Sequence, residues 1–587
     1  MSDRHWKNIS EPEKGRFLER QYSVYLPMRD NVKIALEIYI PSTIYYKENF
    51  PVIFQQTRYW RETEFRFPFS LFLRNSARRK ALSFIKSGYV FIIADVRGSG
   101  ASFGKRNREW DTKELEDSRE ILDWIARQDF CDGNIGVTGS SYDGSCAEFL
   151  LKHSHPNVKA IASRFSVFDV FSDIAFPGGI RLSSFIEKWA AANRALDRGK
   201  PYLSFGWLAK LLIKGPKPVD NCRDDLQYAI HEHYENFDIA PASREIKSRD
   251  SGYINEASPH RIYSHLKQKN IPLYVLSGWY DGAYAHSAIK KFLNWNPEFA
   301  RLTLGPWDHG GHQLIGPYAK KKRPDFPFMQ EIIRFFDLHL KRMSGESDYK
   351  YKVSYYTIGY ESWRFSDTWP PETSIREYFL SENSQLLFYK SANADSKRYI
   401  TGPSSRSGIN SRWDSLFNPF RRRIYYPDRK KNRSECLSFD SQTLTEDIIL
   451  TGSAEADLFI SSDRPYGDIF VYLDEITEHG KIHYITEGIL RMNFYSSKIK
   501  ETGTVFSHRS FLSSEWREIV PGQIVRTKIH LLPVSYRMKK GSKISLSIAG
   551  ADSDHFENNY NGNYPVYTVY FSGRYKSRLT LPLEKNP

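Results

Sequence analysis

Cysteine is scarce in this 587-residue chain, and the few cysteines show no functional spacing. None belongs to a C-x-x-C pair, and none has the spacing to a histidine that a metal site requires. The four are Cys131, Cys146, Cys222 and Cys436. We therefore expect reduced thiols rather than a disulfide framework or a zinc-stabilised fold.

Long apolar runs are also missing. No stretch approaches the roughly 18 consecutive apolar residues that a membrane span requires. Residues 1–20 are polar and charged, without the apolar core of a secretory signal. These absences predict a cytoplasmic protein with no membrane association.

Aspartate and glutamate are outnumbered by lysine and arginine, which gives the chain a net charge of +15. The basic runs at 78–80, 320–323 and 421–423 lie far apart, and none matches a nucleic-acid-binding pattern. We therefore expect no nucleic-acid partner. The role of the basic surface stays open, as does the oligomeric state, and a homo-oligomer is compatible with the sequence.

Apolar patterning predicts an α/β sheet in the first half of the chain. Hydrophobic residues make up 40% of the sequence, enough for a sizeable core. Alternation from Tyr22 to Ile40, around a turn at 29–31, predicts two antiparallel strands, and the pattern from Thr112 to Ala126 predicts an amphipathic helix. Buried parallel strands are predicted at the short apolar runs 51–54, 89–94, 135–138, 158–162, 272–276 and 300–304.

The spacing of apolar residues changes its character twice along the chain, which predicts three domains. Between 165 and 265 the strand pattern gives way to mostly helical patterns, which indicates an inserted helical cap. After residue 340 the chain is β-rich, beginning with the stretch 351–358, and indicates a C-terminal β-sandwich. The predicted domains are an α/β domain from 1–164 and 266–345, a cap from 165–265 and a sandwich from 346–587.

Ser141 is the strongest candidate for a nucleophile. It lies between Gly139 and Gly144, where an apolar strand runs into a helical pattern. A serine on a tight strand-to-helix turn presents its hydroxyl near helix N–H groups, as acyl transfer requires. Asp143 occupies the place of the second glycine in the strict G-x-S-x-G pattern, so the segment alone is also compatible with a plain turn.

A histidine and a carboxylate follow in the order typical of this chemistry. Asp281 follows the predicted strand 272–276, and His309 follows 300–304. Open α/β sheets gather their active sites at the carboxyl ends of strands. We therefore predict that His309 is the general base and that Asp281 orients it. Taken singly, His309 or its neighbour His312 is also compatible with an ordinary loop histidine.

Several sequence blocks resemble the CocE/NonD group of serine hydrolases, which includes cocaine esterase, α-amino-acid ester hydrolases, glutaryl acylases and X-prolyl dipeptidyl aminopeptidases. The resemblance spans nearly the whole chain, and G-x-S-Y-x-G is the normal form of the serine motif in that family. The blocks lie at 95–104, 124–128, 139–144, 278–281, 305–309 and 336–341.

The resemblance implies an α/β-hydrolase fold with an inserted helical cap, a C-terminal jelly roll and no metal or organic cofactor. It also implies an oxyanion hole formed by the backbone N–H of Tyr142 and the hydroxyl of Tyr59. Many family members have proline before that tyrosine, whereas this chain has Arg58.

We therefore expect a serine hydrolase that cleaves an ester or amide of a small molecule through an acyl-enzyme. The segment Gly282–Tyr284 after the aspartate is uncharged, which disfavours a free α-amino substrate. Aromatic residues of the cap are candidates for an acyl pocket, among them Phe165, Phe168, Phe171, Phe176 and Trp189. The alternatives are an X-Pro dipeptidyl-peptidase, an acyltransferase, or a binding protein without turnover on the same scaffold.

Overall fold

The computed structural model describes residues 18–585 except 43–48, 74–75, 253, 255, 267–269, 314–315, 319–325, 342–349, 391–394, 409–410, 417–426, 498, 503–505 and 572. The basic runs 320–323 and 421–423 therefore lie outside the described residues. Among the described helices, none combines the length and apolarity needed to cross a bilayer.

The described residues of the first two-thirds of the chain form twelve strands. They are β1 (Leu18–Pro27), β2 (Lys33–Ser42), β3 (Phe50–Thr57), β4 (Thr63–Phe65), β5 (Val90–Asp95), β6 (Cys131–Ser140), β7 (Val158–Arg164), β8 (Ile213–Pro216), β9 (Leu273–Gly278), β10 (Ala300–Gly305), β11 (Val353–Thr357) and β12 (Ser362–Ser366). All but β4 and β8 form one sheet, in the order β1-β2-β5-β3-β6-β7-β9-β10-β11-β12.

The pairing within this sheet confirms the predicted strands. The first two strands form an antiparallel pair at one edge. From β5 to β10 every neighbouring pair is parallel. Every residue of β5 and β9 is buried, because helices cover both faces of a parallel sheet.

Helices connect these strands and form the region between β7 and β9. They are α1 (Ser76–Lys86), α2 (Thr112–Ala126), α3 (Tyr142–Phe149), α4 (Ser183–Asp197), α5 (Tyr202–Phe205), α6 (Trp207–Leu212), α7 (Arg223–Glu232), α8 (Ile239–Arg244), α9 (His260–Leu266), α10 (Tyr284–Leu293) and α11 (Phe328–Leu340). The bounds of α2 are those that the apolar spacing predicts. The helices α4 to α9 lie in the segment predicted as a cap, which also contains the short strand β8 paired with β4.

In its described residues, the C-terminal part is an all-β domain of fifteen strands with two short α-helices. Thirteen strands form one connected sheet system, and β21 and β22 form a separate hairpin. The elements are β13 (Thr373–Leu380), β14 (Gln385–Leu387), β15 (Ser396–Ile400), α12 (Arg412–Ser415), α13 (Lys430–Arg433), β16 (Leu437–Ser441), β17 (Ile448–Gly452), β18 (Glu455–Ser462), β19 (Asp468–Ile476), β20 (Ile482–Arg491), β21 (Ile499–Thr502), β22 (Phe506–Arg509), β23 (Val525–His530), β24 (Val534–Met538), β25 (Lys543–Ala549), β26 (Val566–Tyr570) and β27 (Arg578–Glu584).

Sheet pairing crosses the predicted boundary between residues 345 and 346. Strand β11, which the sequence pattern places in the C-terminal sandwich, pairs in parallel with β10 and extends the first sheet. Strand β12 then pairs antiparallel with β11 at the edge. The helix α11 provides the crossover that a parallel neighbour of β10 requires, which explains the placement.

Candidate active site

Ser141 occupies a strained turn between β6 and α3. Its backbone has φ 61° and ψ −124°, a conformation that residues with a side chain rarely adopt. Its N–H donates a hydrogen bond of 2.9 Å to the carbonyl oxygen of Arg164, which anchors the turn to the end of β7. The turn therefore places the serine at the carboxyl edge of the sheet, as the sequence predicts.

Two glycines make the turn sterically possible. A Cβ atom at Gly139 would lie 2.2 Å from the backbone of Asp143, and one at Gly144 would lie 2.9 Å from the Cβ atom of Ser166. Real Cβ atoms do not approach other atoms so closely, so a side chain at either position would displace the turn. Asp143 points into the interior, where it accepts a hydrogen bond of 2.7 Å from Gln55. Burial raises the pKa of Asp143 to about 6.

The structure brings Ser141, His309 and Asp281 together. Nε2 of His309 lies 3.0 Å from Oγ of Ser141. Nδ1 of the same ring lies 2.7 Å from Oδ1 of Asp281. The three residues are far apart in the sequence but follow β6, β10 and β9, whose carboxyl ends meet at one edge of the sheet.

The charges of this site are shielded from water. Asp281 is fully buried, and burial raises the pKa of its carboxyl group despite the opposing effect of His309. The pKa of His309 is itself raised, because the charge and hydrogen bond of Asp281 outweigh the effect of burial, which lowers it. Asp281 thus favours the protonated imidazole that forms when the ring accepts a proton.

Aromatic rings hold the imidazole of His309 in place. The ring of Tyr284 stacks on it with a centroid distance of 5.2 Å and an interplanar angle of 23°. Phe165 contacts it edge-on at 6.2 Å. The neighbouring His312 has a different partner, since its Nδ1 lies 3.1 Å from Oδ1 of Asp308.

The candidate oxyanion donors lie beside the serine. Tyr59 follows β3, and its ring lies 6.2 Å from that of Tyr142 in an edge-on arrangement. Burial raises the pKa of Tyr59 to about 12, so its hydroxyl keeps its proton at neutral pH. Tyr142 is the first residue of α3, where a backbone N–H has no partner within the helix.

Arg58, the departure from the family pattern, is part of a buried ion-pair network. Its guanidinium lies 2.6 Å from Glu109 and 3.5 Å from Asp197. It also packs over the rings of Tyr142 and Trp189, at 5.7 Å and 5.2 Å. These contacts fix the strand end that carries the adjacent tyrosine.

The aromatic residues proposed for an acyl pocket separate into two groups. Phe165 contacts His309, and Nε1 of Trp189 donates a hydrogen bond of 3.1 Å to the Tyr59 hydroxyl. The other three, Phe168, Phe171 and Phe176, pack in the main core cluster, and all four phenylalanines are buried. Among the described ring contacts and hydrogen bonds, those of the first group alone reach a predicted site residue. The role of Trp189 as a donor to Tyr59 was not predictable, because the two residues lie 130 positions apart.

The C-terminal domain braces the loop that carries Asp281. Gly282 donates to the carbonyl oxygen of Arg412 at 3.2 Å, and Nη1 of Arg412 donates back to the carbonyl oxygen of Gly282 at 3.2 Å. Ser415 donates to the carbonyl oxygen of Tyr280 at 2.9 Å. No local sequence pattern predicts these contacts, because the residues of α12 that make them lie in a different part of the chain.

A serine on a strained turn at the edge of a parallel sheet, hydrogen-bonded to a histidine, defines a serine hydrolase of the α/β-hydrolase class. Comparison with known proteins agrees. The family model described as X-Pro dipeptidyl-peptidase (S15 family) matches residues 30–311. The model of the X-Pro dipeptidyl-peptidase C-terminal non-catalytic domain matches residues 346–580.

The chain is 36% identical, over 99% of its length and 99% of theirs, to proteins named putative serine esterase from Mycobacterium bovis and Mycobacterium tuberculosis. It is 24% identical to cocaine esterase from a Rhodococcus species, with 92% of each chain covered. The chain therefore belongs to the CocE/NonD family of serine hydrolases, which confirms the resemblance seen in its sequence blocks. It is accordingly an enzyme, not a binding protein on a hydrolase scaffold.

Solved structures share the fold at low sequence identity. A CocE/NonD family hydrolase from Staphylococcus aureus has a TM-score of 0.72 at 17% identity, with 98% of each chain covered. An α-amino acid ester hydrolase has a TM-score of 0.73 at 17% identity, also with 98% of each chain covered. At this identity the likeness establishes the fold alone.

The raised pKa of His309 predicts how activity depends on pH. The base must be neutral to accept a proton, so kcat/KM should fall as the pH drops through the raised pKa of His309. In Asp281→Asn the raising effect is lost while burial remains, so this acidic limb should move to lower pH. The plateau rate should fall by about 10⁴-fold, because the amide no longer holds the required tautomer.

The measurement is a pH–rate profile of ester hydrolysis for both proteins. Asp224→Asn, at an exposed position of α7, is the matched control. If the acidic limb of the profile stays at the same pH in Asp281→Asn, the predicted effect of Asp281 on the pKa of His309 is wrong.

Proposed function

We propose that Ser141 is the nucleophile, His309 the general base and Asp281 the residue that orients and stabilises the imidazolium. The observation that carries this proposal is the continuous hydrogen-bonded path from Oγ of Ser141 through His309 to Asp281, with distances of 3.0 Å and 2.7 Å. Such a path gives the ordinary hydroxyl of a serine a base within reach of its proton.

In the first step, Nε2 of His309 takes the Ser141 proton as Oγ attacks the carbonyl carbon of the substrate. The negative charge that develops on the carbonyl oxygen meets the Tyr59 hydroxyl and the Tyr142 N–H. His309 then gives its proton to the leaving alcohol or amine, and the acyl group remains on the serine. Water activated by His309 releases the acid in the second step.

For the substrate, we propose a small ester with an uncharged acyl group. The names of the relatives support an ester, since they are described as serine esterases and a cocaine esterase. The segment Gly282–Tyr284 has no carboxylate to receive an ammonium group. Phe165 packs against His309, and Trp189 is hydrogen-bonded to Tyr59, so the described contacts of both site residues include aromatic side chains. We also propose a cytoplasmic location, where the four free thiols stay reduced.

The second candidate is an X-Pro dipeptidyl-peptidase, which the description of the matching family model favours. The two candidates differ in the group that they must recognise, because a dipeptidyl-peptidase binds the free amino terminus of a peptide. The same serine and histidine would serve both reactions, so substrate recognition alone separates them.

Labelling tests the nucleophile. A fluorophosphonate probe should modify Ser141 and no neighbouring serine, as read by peptide mass spectrometry. Ser141→Ala should lose the label and lower kcat for p-nitrophenyl acetate by about 10⁴-fold or more. Ser140→Ala, one position earlier, should keep both. Labelling at another serine would refute the proposed role of Ser141.

A substrate pair tests the acyl preference. We expect kcat/KM for p-nitrophenyl butyrate to exceed that for an alanyl-prolyl p-nitroanilide by about 10²-fold or more, because the segment Gly282–Tyr284 offers the charged amine no carboxylate and an activated ester is the more reactive acyl donor. The reverse order would assign the enzyme to the dipeptidyl-peptidases, with the same catalytic residues.

Removal of the Tyr59 hydroxyl tests the oxyanion hole. Tyr59→Phe should lower kcat by about 10²–10³-fold with little change in KM, because the lost hydrogen bond forms mainly in the transition state. The exposed Tyr228 on α7 provides the control Tyr228→Phe, which should leave kcat unchanged. An unaffected kcat in Tyr59→Phe would show that the hydroxyl does not contact the oxyanion.

A further inference from the structure

Two neighbouring segments of the surface expose large apolar side chains. In residues 67–73, Phe67, Leu71 and Phe72 are 81%, 69% and 78% exposed. In residues 203–211, Leu203, Trp207 and Leu208 are 56%, 70% and 55% exposed. We call these two segments together the apolar patch. Single exposed apolar residues are ordinary, but clustering of this kind marks an interaction surface.

The backbone holds the two segments side by side. Strand β4, just before the first segment, pairs with β8, just after the second. The N–H of Arg66 donates to the carbonyl oxygen of Leu212 at 2.9 Å, and Nε of Arg66 donates to the carbonyl oxygen of Lys210 at 3.0 Å. The two segments of the apolar patch are therefore anchored next to each other.

Cationic side chains predominate around the apolar patch. The sequence segments 65–80 and 198–219 contain ten lysine and arginine residues and no aspartate or glutamate. Lys200 and Lys210 are exposed beside the apolar side chains. The nearest carboxylate along the chain, Glu64, pairs with Lys214 and Arg223. The surroundings are therefore strongly cationic.

This charge decides which occupant fits. A second copy of the same face would bring two sets of cationic side chains together, which is unfavourable in a symmetric dimer. An anionic lipid surface instead accepts both features, because aromatic and leucine side chains enter the acyl boundary while lysine and arginine meet the headgroups. We propose that the apolar patch docks this enzyme peripherally on an anionic lipid surface.

The apolar patch is linked to the active site through the chain. The first segment begins eight residues after Tyr59, and α4, which carries Trp189, ends six residues before the second. Lipid docking gives the basic surface a role, whereas no nucleic-acid-binding pattern was found in the sequence. It also differs from the sequence analysis, which predicted no membrane association.

Vesicle co-sedimentation of the full-length protein tests the proposal independently of catalysis. The protein should bind mixed phosphatidylcholine–phosphatidylglycerol vesicles, bind pure phosphatidylcholine vesicles much less, and bind more weakly as salt rises. The double variant Phe72→Ser/Trp207→Ser should lower the vesicle association constant by about tenfold or more. Lys200→Glu/Lys210→Glu should lower binding to the mixed vesicles.

Matched variants on the C-terminal domain are the controls. Phe388→Ser/Tyr389→Ser removes aromatic residues that are 61% and 66% exposed. Lys390→Glu/Lys431→Glu makes the same change in net charge as the patch variant. Both should bind as the unmodified protein does, and thermal unfolding should confirm that every variant is folded.

Three results would overturn the proposal. One is equal binding to vesicles with and without phosphatidylglycerol. Another is an equal loss of binding in the control variants. The third is a dimer in sedimentation velocity that Phe72→Ser/Trp207→Ser dissociates, with no vesicle binding, which would assign the apolar patch to a second copy of the chain.

Discussion

The strained turn at Ser141 is the constraint on which the rest of the site depends. A positive φ at a serine is unfavourable, of order 1–3 kcal/mol for such conformations, and persists only when surrounding contacts enforce it. Here the close approach of Gly139 to Asp143 and the hydrogen bond to Arg164 enforce it. The result is a hydroxyl that points away from its own backbone and towards the imidazole of His309.

Buried charge is the second theme of the structure. Burial alone would shift Asp281 towards its neutral form, and the hydrogen bond to His309 counters this tendency. Arg58 is likewise fully buried, and it remains tolerable because Glu109 and Asp197 pair with it. Both arrangements join elements that are distant in the sequence, so the positions of the proposed catalytic and oxyanion groups depend on packing between distant parts of the chain.

The C-terminal domain contributes to this positioning although it supplies none of the proposed catalytic residues. Arg412 and Ser415 hold the backbone on either side of Asp281.

The segments 67–73 and 203–211 present apolar side chains to the surface, and the residues around them in the sequence are mostly cationic.

The sequence by itself determined the features that depend on local pattern. Alternation and apolar runs located the parallel strands, the spacing from Thr112 to Ala126 located α2, and the glycines around Ser141 indicated its turn. Candidates for the base and the orienting acid followed from their places after predicted strands. Such signals arise from steric preferences within a few residues, so they can be read from a single sequence.

Only the tertiary structure decided the features that depend on contacts between distant residues. It placed β11 and β12 in the first sheet, where β11 pairs with β10 and β12 pairs with β11. It placed Trp189 on the Tyr59 hydroxyl and Arg412 against the Asp281 loop. It also anchored two separate apolar segments next to each other. Hydrogen bonds of this kind leave no periodic trace in the chain, because their partners are brought together only when the core packs.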